Sequence, residues 1–156
     1  MARAEIRRAT EADARELALD LRAEDVAEVE AEPHEFGPAE ALLESLRVST
    51  GKSALVIDGR VAALWGAAPL EGDPSVGVVW LLGGNVLHRH RKTFARLSKQ
   101  AVAALLEHFA ELFNYVDERY TAAVRWLEWL GAVVYPAVPY GVNGELFHPF
   151  EIRRPA

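Results

Sequence analysis

Between Leu112 and Gly131 the residue pattern changes its period, and few folds accommodate both halves. Leu112, Asn114 and Val116 alternate with Phe113, Tyr115 and Asp117, the two-residue repeat of a strand with two unlike faces. From Tyr120 onward, Ala123, Trp126, Leu127 and Leu130 recur at helical spacing. Gly131 stands where a glycine in a left-handed conformation ends a helix, and Ala132 to Val138 is apolar again. Strand, turn, helix, glycine and strand in one short stretch call for helices packed on a sheet. The unit also sets polar turn residues at the end of its first strand, where α/β proteins bind ligands.

The rest of the chain supplies such a sheet. Ala4 to Arg8 reads as a short strand, and Thr10-Glu11-Ala12-Asp13 as a capping-box-like helix start. Ala14, Leu17, Ala18 and Leu21 form that helix's buried stripe. Asp25 to Glu32 either extends it or begins another, and Pro33 and Phe36-Gly37-Pro38 end the run. Pro38 suits the first turn of a helix over Ala39 to Val48, with Leu42, Leu43 and Leu46 inward. Ser53 to Ile57 and Arg60 to Trp65 are strands joined by Asp58-Gly59, a hairpin signal because a type I′ turn needs positive φ. Pro69 to Pro74 reads as a loop, and Val76 to Leu82 as a central strand covered on both faces. After Gly83-Gly84-Asn85 comes the longest predicted helix, Leu87 to Phe109, with Phe94, Leu97, Ala101, Val102, Leu105 and Phe109 on one face. Val133 to Val138 and Glu145 to Ile152 close the chain as strands around a loop with an Asn-Gly turn. The expected architecture is α/β (α+β): one domain over residues 1–156, with a mixed twisted sheet of about seven strands and helices on both faces.

Composition narrows the chemistry. With no cysteine, disulfides, thiol nucleophiles and cysteine metal sites are excluded. The first residues lack an apolar h-region, so no secretory signal is expected, and no apolar run reaches the length of a membrane span. A net charge of −6 argues against nucleic acid as the main partner. The charge is uneven, however. Asp20, Glu24, Asp25, Glu28, Glu30, Glu32, Glu35, Glu40 and Glu44 make one stretch acidic, while His88, Arg89, His90, Arg91, Lys92, Arg96 and Lys99 make another basic. The basic segment reads either as a local anion site or partner contact, or as a solvated helix face. His88 and His90 are two apart, so on a helix they point away from each other and no metal site is expected. No Ser-His-Asp order or nucleophile elbow is present.

The order of elements resembles that of the GNAT-type acetyltransferase superfamily. Tyr120 to Ala132 is similar to that superfamily's Asn-x-x-Ala pattern and its run ending Tyr-x-x-x-Gly-Phe, with Ala123, Arg125, Leu130 and Gly131 matching. The stretches NYVDERYTAAVRWLEWLG, RHRKTFARLS and PYGVNGELFHPFEIRR more specifically resemble the GNAT-like internal virion protein family of tailed phages. The superfamily resemblance implies acetyl transfer from acetyl-CoA to an amine. It requires a diphosphate cradle, a general base and a proton donor for the leaving thiolate.

The superfamily cradle is Arg/Gln-x-x-Gly-x-Gly/Ala at a helix start. Here Gly83 and Gly84 come early and no glycine lies in the first helical turns, so Arg89, Arg91 and Lys92 would hold the anion through side chains. Leu127 replaces the tyrosine that gives the proton, Tyr120 replaces the asparagine and Ala132 the phenylalanine. Tyr115, Tyr120 or Tyr140 could substitute as donor. In this fold the loop between the first two helices borders the acceptor site, which implies His34 or Glu35 as base. Glu28, Glu30 and Glu32 of the same acidic stretch are further candidates, as are Asp117 and Glu118 at the strand end. For Asp117 the plainer reading is capping of the helix that follows.

Two functions remain. In the first, the fold is kept with a degenerate acetyl-CoA site, no cofactor is expected, and the protein binds phage head or tail proteins in the host cytoplasm and the virion. In the second, the chain is an acetyl-CoA-dependent N-acetyltransferase acting on a protein or small-molecule amine. The absent glycines and Leu127 favour the first. A homo-oligomer is compatible with both.

Overall fold

The computed structural model describes residues 2–31 and 36–155. Its elements are β1 (Ala4–Arg8), α1 (Glu11–Ala18), α2 (Ala23–Ala31), α3 (Pro38–Val48), β2 (Gly51–Ile57), β3 (Arg60–Leu70) and β4 (Asp73–Gly83). A 3₁₀ turn (Asn85–Arg89) leads into α4 (Arg91–His108), followed by β5 (Glu111–Asp117), α5 (Thr121–Trp129), β6 (Val133–Val134), β7 (Val138–Pro139) and β8 (Leu146–Arg153). The strands form one sheet in the order β1-β2-β3-β4-β5-β8-β6, with β7 also paired to β8. Every pairing is antiparallel except β4 with β5.

Local chemistry explains where the elements start and stop. Thr10 and Asp13 exchange hydrogen bonds as a capping box at the head of α1. Asp58 (φ 49°) and Gly59 (φ 79°) form the expected positive-φ turn between β2 and β3. Gly131 (φ 99°) donates its N–H to the Glu128 carbonyl, and Ala132 donates to Leu127, so α5 ends in a Schellman motif.

Three expectations are corrected. Pro69 to Pro74 is not an open loop: β3 and β4 run on to Leu70 and from Asp73, with Gly72 at φ 89° allowing the tight turn and a bulge at Pro69/Leu70 absorbing the proline. The long helix does not begin at Leu87, because His90 (φ −131°, ψ 36°) leaves the helical region and separates the 3₁₀ turn from α4. The strand predicted over Val133 to Val138 is two short pieces. Between them Pro136 has no N–H for the ladder. With both pieces present, the sheet has eight strands, in keeping with the expected mixed sheet of about seven.

Two apolar layers cover the sheet. Leu17, Leu42, Leu46, Ala54 and Leu64 pack on the α1–α3 face. Leu55, Trp65, Leu105, Leu112, Phe150 and Ile152 pack on the α4–α5 face. Leu112 is fully buried near the start of β5, so Leu112→Ala removes its transfer free energy and leaves a cavity. We expect it to lower the unfolding free energy by about 2–5 kcal/mol, read from urea denaturation. A loss within about 0.5 kcal/mol, the range of exposed surface positions, would contradict this placement.

Candidate active site

The site begins where the parallel pairing of β4 and β5 ends. They pair only through Val76↔Glu111, Gly77↔Leu112 and Val78↔Phe113. Yet β4 remains paired to β3 as far as Gly83↔Ala63, and β5 to β8 as far as Asp117↔Phe147. The C-terminal halves of the two strands have therefore parted, opening a wedge edged by main-chain polar groups that the ladder leaves unpaired. At its apex the Asn114 amide Nδ2 donates to the Val79 carbonyl, and its Oδ1 accepts the Tyr115 N–H at 2.7 Å. The side chain thus stands in for the next rung of the ladder.

Helix α2 closes the far end of the wedge. On the β4 side, Gly83 donates its N–H to Asp25 Oδ2 (3.2 Å), and Arg22 donates its N–H to the Gly83 carbonyl (3.0 Å) and its Nε to Asp25 (2.6 Å). On the β8 side, Val142 in the β7–β8 loop donates its N–H to the Ala31 carbonyl at 2.8 Å. The same loop lays Tyr140 flat on Tyr115, ring centroids 3.9 Å apart, with the edge of Phe147 at 5.2 Å. Strands, helix and loop together border a passage along the wedge.

Tyr120 and Asp117 stand at this passage. Asp117 is completely buried. Burial alone would push its carboxyl upward, but hydrogen bonds from the Arg119 side chain (2.5–3.1 Å) and N–H (2.9 Å), with the guanidinium charge, hold it below the usual carboxylate range. Its oxygens are therefore occupied by the β5–α5 turn, an arrangement that suits an anchor better than a base. The Tyr120 phenol is pushed up to about 12, first by burial and then by the charge of Asp117, with Glu28 and Asp25 of α2 adding to the rise and Arg119 opposing it. At neutral pH it is a hydrogen-bond donor. Asp25 is raised by burial, which outweighs Arg22.

The remaining predicted residues fall in three places. Arg89, Arg91 and Lys92 cluster, exposed, at the start of α4, and among the described residues none of them pairs with a carboxylate. His90 caps that helix with no side-chain hydrogen bond, so the first N–H groups of α4 also lack a cap partner. Exposed N–H groups and three cations in one place form a surface suited to a phosphate-bearing ligand. Gly83 and Gly84 do not join them. Their N–H groups go to the Asp25 carboxylate and the Ala62 carbonyl (2.8 Å). A Cβ on Gly83 would lie 2.6 Å from Leu87, and one on Gly84 3.0 Å from Leu17. These glycines are required by packing and turn their N–H groups into the protein. His34 and Glu35 lie outside the described residues. Leu127 is buried on the inner face of α5 and has no proton to give. The sequence reading missed the role of Asn114. Its signal was available, since asparagine is uncommon inside a strand.

The comparisons define the fold. Over 97% of this chain and 98% of the other, the fold matches a GCN5-related N-acetyltransferase from Kribbella flavida, with a TM-score of 0.70 and 20% identity. Ard1 from Thermoplasma volcanium matches with a TM-score of 0.75 and 13% identity, over 98% of this chain and 99% of that one. The yncA protein of Salmonella typhimurium, solved with its cofactor acetyl-CoA, matches with a TM-score of 0.71 and 12% identity over 99% and 95%. No family model and no curated protein matches the chain. The chain has the fold of the GNAT N-acetyltransferases. Nothing in these likenesses supports the virion association expected from the sequence resemblance.

Two titrations check the electrostatics. The unfolded phenol loses its proton near pH 10 and the folded Tyr120 near 12. Its contribution to stability is thus complete below about pH 10 and fades as pH rises toward 12. In difference absorbance, wild type minus Tyr120→Phe, we expect one tyrosinate appearing near pH 12; one appearing near 10 would show an unperturbed phenol. Asp117 works in the opposite direction. With its folded pKa depressed, its contribution is complete above the unfolded value of about 3.9 and is lost as pH falls through the folded one. Asp117→Asn is expected to flatten the acid limb of the stability–pH curve. An unchanged limb would mean the carboxylate carries no linkage.

Proposed function

We propose that this chain is an acetyl-CoA-dependent N-acetyltransferase, reversing the order in which its sequence ranks the two functions. The observation that carries the reading is the parted β4–β5 pair, with an unpaired basic helix start on one side and Tyr120 under α2 on the other. Arg89, Arg91, Lys92 and the first N–H groups of α4 fit a diphosphate. The unpaired main chain of β4 and β5 fits a flexible amide-containing arm. The acetyl-CoA present in the yncA structure supports the same assignment.

Acetyl-CoA, when bound, supplies an acetyl group activated as a thioester. The amine nitrogen of the acceptor forms a bond to the acetyl carbon as the carbon–sulfur bond breaks. Glu28, on α2 and close enough for its charge to be felt at Tyr120, takes the proton the amine loses. Tyr120 donates its phenolic hydrogen bond to the departing sulfur. The amine proton taken by Glu28 would pass through the Tyr120 phenol to the thiolate, so that an amide and a free thiol result and both side chains return to their starting states. Burial, with the charge of Asp117 adding to it, keeps the resting Tyr120 phenol protonated.

Isothermal titration with acetyl-CoA tests the donor site. We expect a dissociation constant below about 1 mM, weakened by about tenfold or more when Arg89, Arg91 and Lys92 are all replaced by Ala, since each charge-assisted hydrogen bond is worth about 1.5–3 kcal/mol. Thiol release against a panel of amines should fall by about 10²-fold or more in Tyr120→Phe. No binding at millimolar acetyl-CoA together with no thiol release would overturn the reading. That result would leave the binding-only role with phage head or tail proteins, tested by co-sedimentation with purified particles.

A further inference from the structure

We infer that Phe94 and Trp126 form an aromatic latch across the donor site and that this latch sets its affinity for the cofactor. The inference rests on the donor-site reading above. Phe94 lies in the first turn of α4, one turn beyond Arg91, and Trp126 lies on α5. Their rings stack with centroids 5.4 Å apart and planes 29° from parallel. The indole is held in place, its Nε1 donating to Ser98 Oγ at 3.1 Å, and that hydroxyl donates in turn to the Ala95 carbonyl at 2.7 Å.

Under the stack is an apolar cavity of about 50 Å³ whose walls include Val79, Leu81, Leu97 and Leu105. Val79 and Leu81 belong to the part of β4 that has left β5. The latch therefore sits between the basic start of α4 and the floor of the wedge. A ligand reaching from one to the other must part the rings or displace them. Phe94, Leu97, Ala101 and Val102 were expected to be core residues of α4, yet all are only partly buried. Helix α4 thus stands off the upper part of β4, and the two rings fill the gap. The pocket presents apolar surface, so a ligand entering it must supply apolar contact there.

Two substitutions at one ring and one at the other test the latch, with binding of coenzyme A measured by calorimetry. Phe94→Ala removes the upper ring, Phe94→Leu keeps apolar volume without stacking, and Trp126→Phe keeps a ring but loses the tie to Ser98. Thermal melts confirm that each variant is folded. The expected result is affinity about tenfold tighter in Phe94→Ala than in wild type, with Phe94→Leu between them. Binding of coenzyme A to wild type should also change the indole emission by a component absent from Trp126→Phe. Binding by Phe94→Ala alone, with none by wild type, supports the latch equally. If wild type binds and both Phe94 variants bind equally or more weakly, with Trp126 emission unchanged, the latch is wrong and the donor site stands. If neither wild type nor any variant binds, the donor-site reading fails and the latch with it.

Discussion

The parting of β4 from β5 is the constraint on which the rest of the structure depends. A strand in mid-sheet normally pairs on both edges. Here each of the two keeps its full ladder on one edge and gives up the other after three residue pairs. The unpaired main-chain groups must be satisfied by something other than the sheet. Asn114 satisfies the first carbonyl beyond the last pair, marking where pairing stops. Beyond it the two strand ends diverge, and the loops and helices that follow them are carried to opposite sides of an opening. β4 leads into the 3₁₀ turn and the basic start of α4, and β5 leads into the Asp117–Tyr120 turn and α5.

That opening would be a cleft between two unsupported edges if the N-terminal helices did not span it. Leu21 bridges to Gly84, and the Asn85 amide donates to the Asp20 side chain at 3.0 Å, so the α1–α2 corner is fastened to the end of β4. From that fastening α2 reaches the β7–β8 loop at Ala31 and Val142. This path explains the uneven charge of the sequence. The acidic residues Asp25 and Glu28 lie over the wedge from one side. The basic residues Arg89, Arg91 and Lys92 lie at the start of α4, where a phosphate would gain from both the side chains and the helix N-terminus. Opposite charges thus stand at the two approaches to the wedge.

The parts legible in the sequence are those fixed by neighbours along the chain. The Thr10–Asp13 box, the Asp58-Gly59 turn, the alternating strand at Leu112 and the Gly131 terminus each follow from a few adjacent residues. So does the order of elements, and with it the mixed sheet. The wedge was not legible, because it depends on where β4 stops pairing with β5, and that is decided by the commitments of both strands to β3 and β8. The setting of Gly83 and Gly84 was not legible for the same reason: in three dimensions they allow Arg22, Leu87 and Leu17 to pack closely. The basic run was read correctly as a cluster and wrongly as continuous helix, since the kink at His90 is a backbone event with no proline or glycine to announce it. The Phe94–Trp126 contact joins two helices whose relative placement no local pattern encodes.

Asp117 and Tyr120 show how a carboxylate tied up by its own turn still shapes the electrostatics of its neighbour. A buried carboxylate at a strand end ordinarily relieves its isolation by taking up a proton. Arg119, two residues on, prevents this with its guanidinium and its N–H, although the guanidinium itself is mostly exposed. The charge fixed at Asp117 then acts on the next ionisable group, adding to the desolvation that already opposes ionisation of Tyr120. The order of effects matters. Desolvation alone would raise both groups, but the arginine lowers the carboxyl while opposing the rise of the phenol by less than burial and the carboxylates add. A donor that stays protonated is the property lost when Leu127 stands where the superfamily pattern has tyrosine. In the proposed reading Tyr120, three residues beyond β5, supplies that property from a different position on the same strand–helix unit.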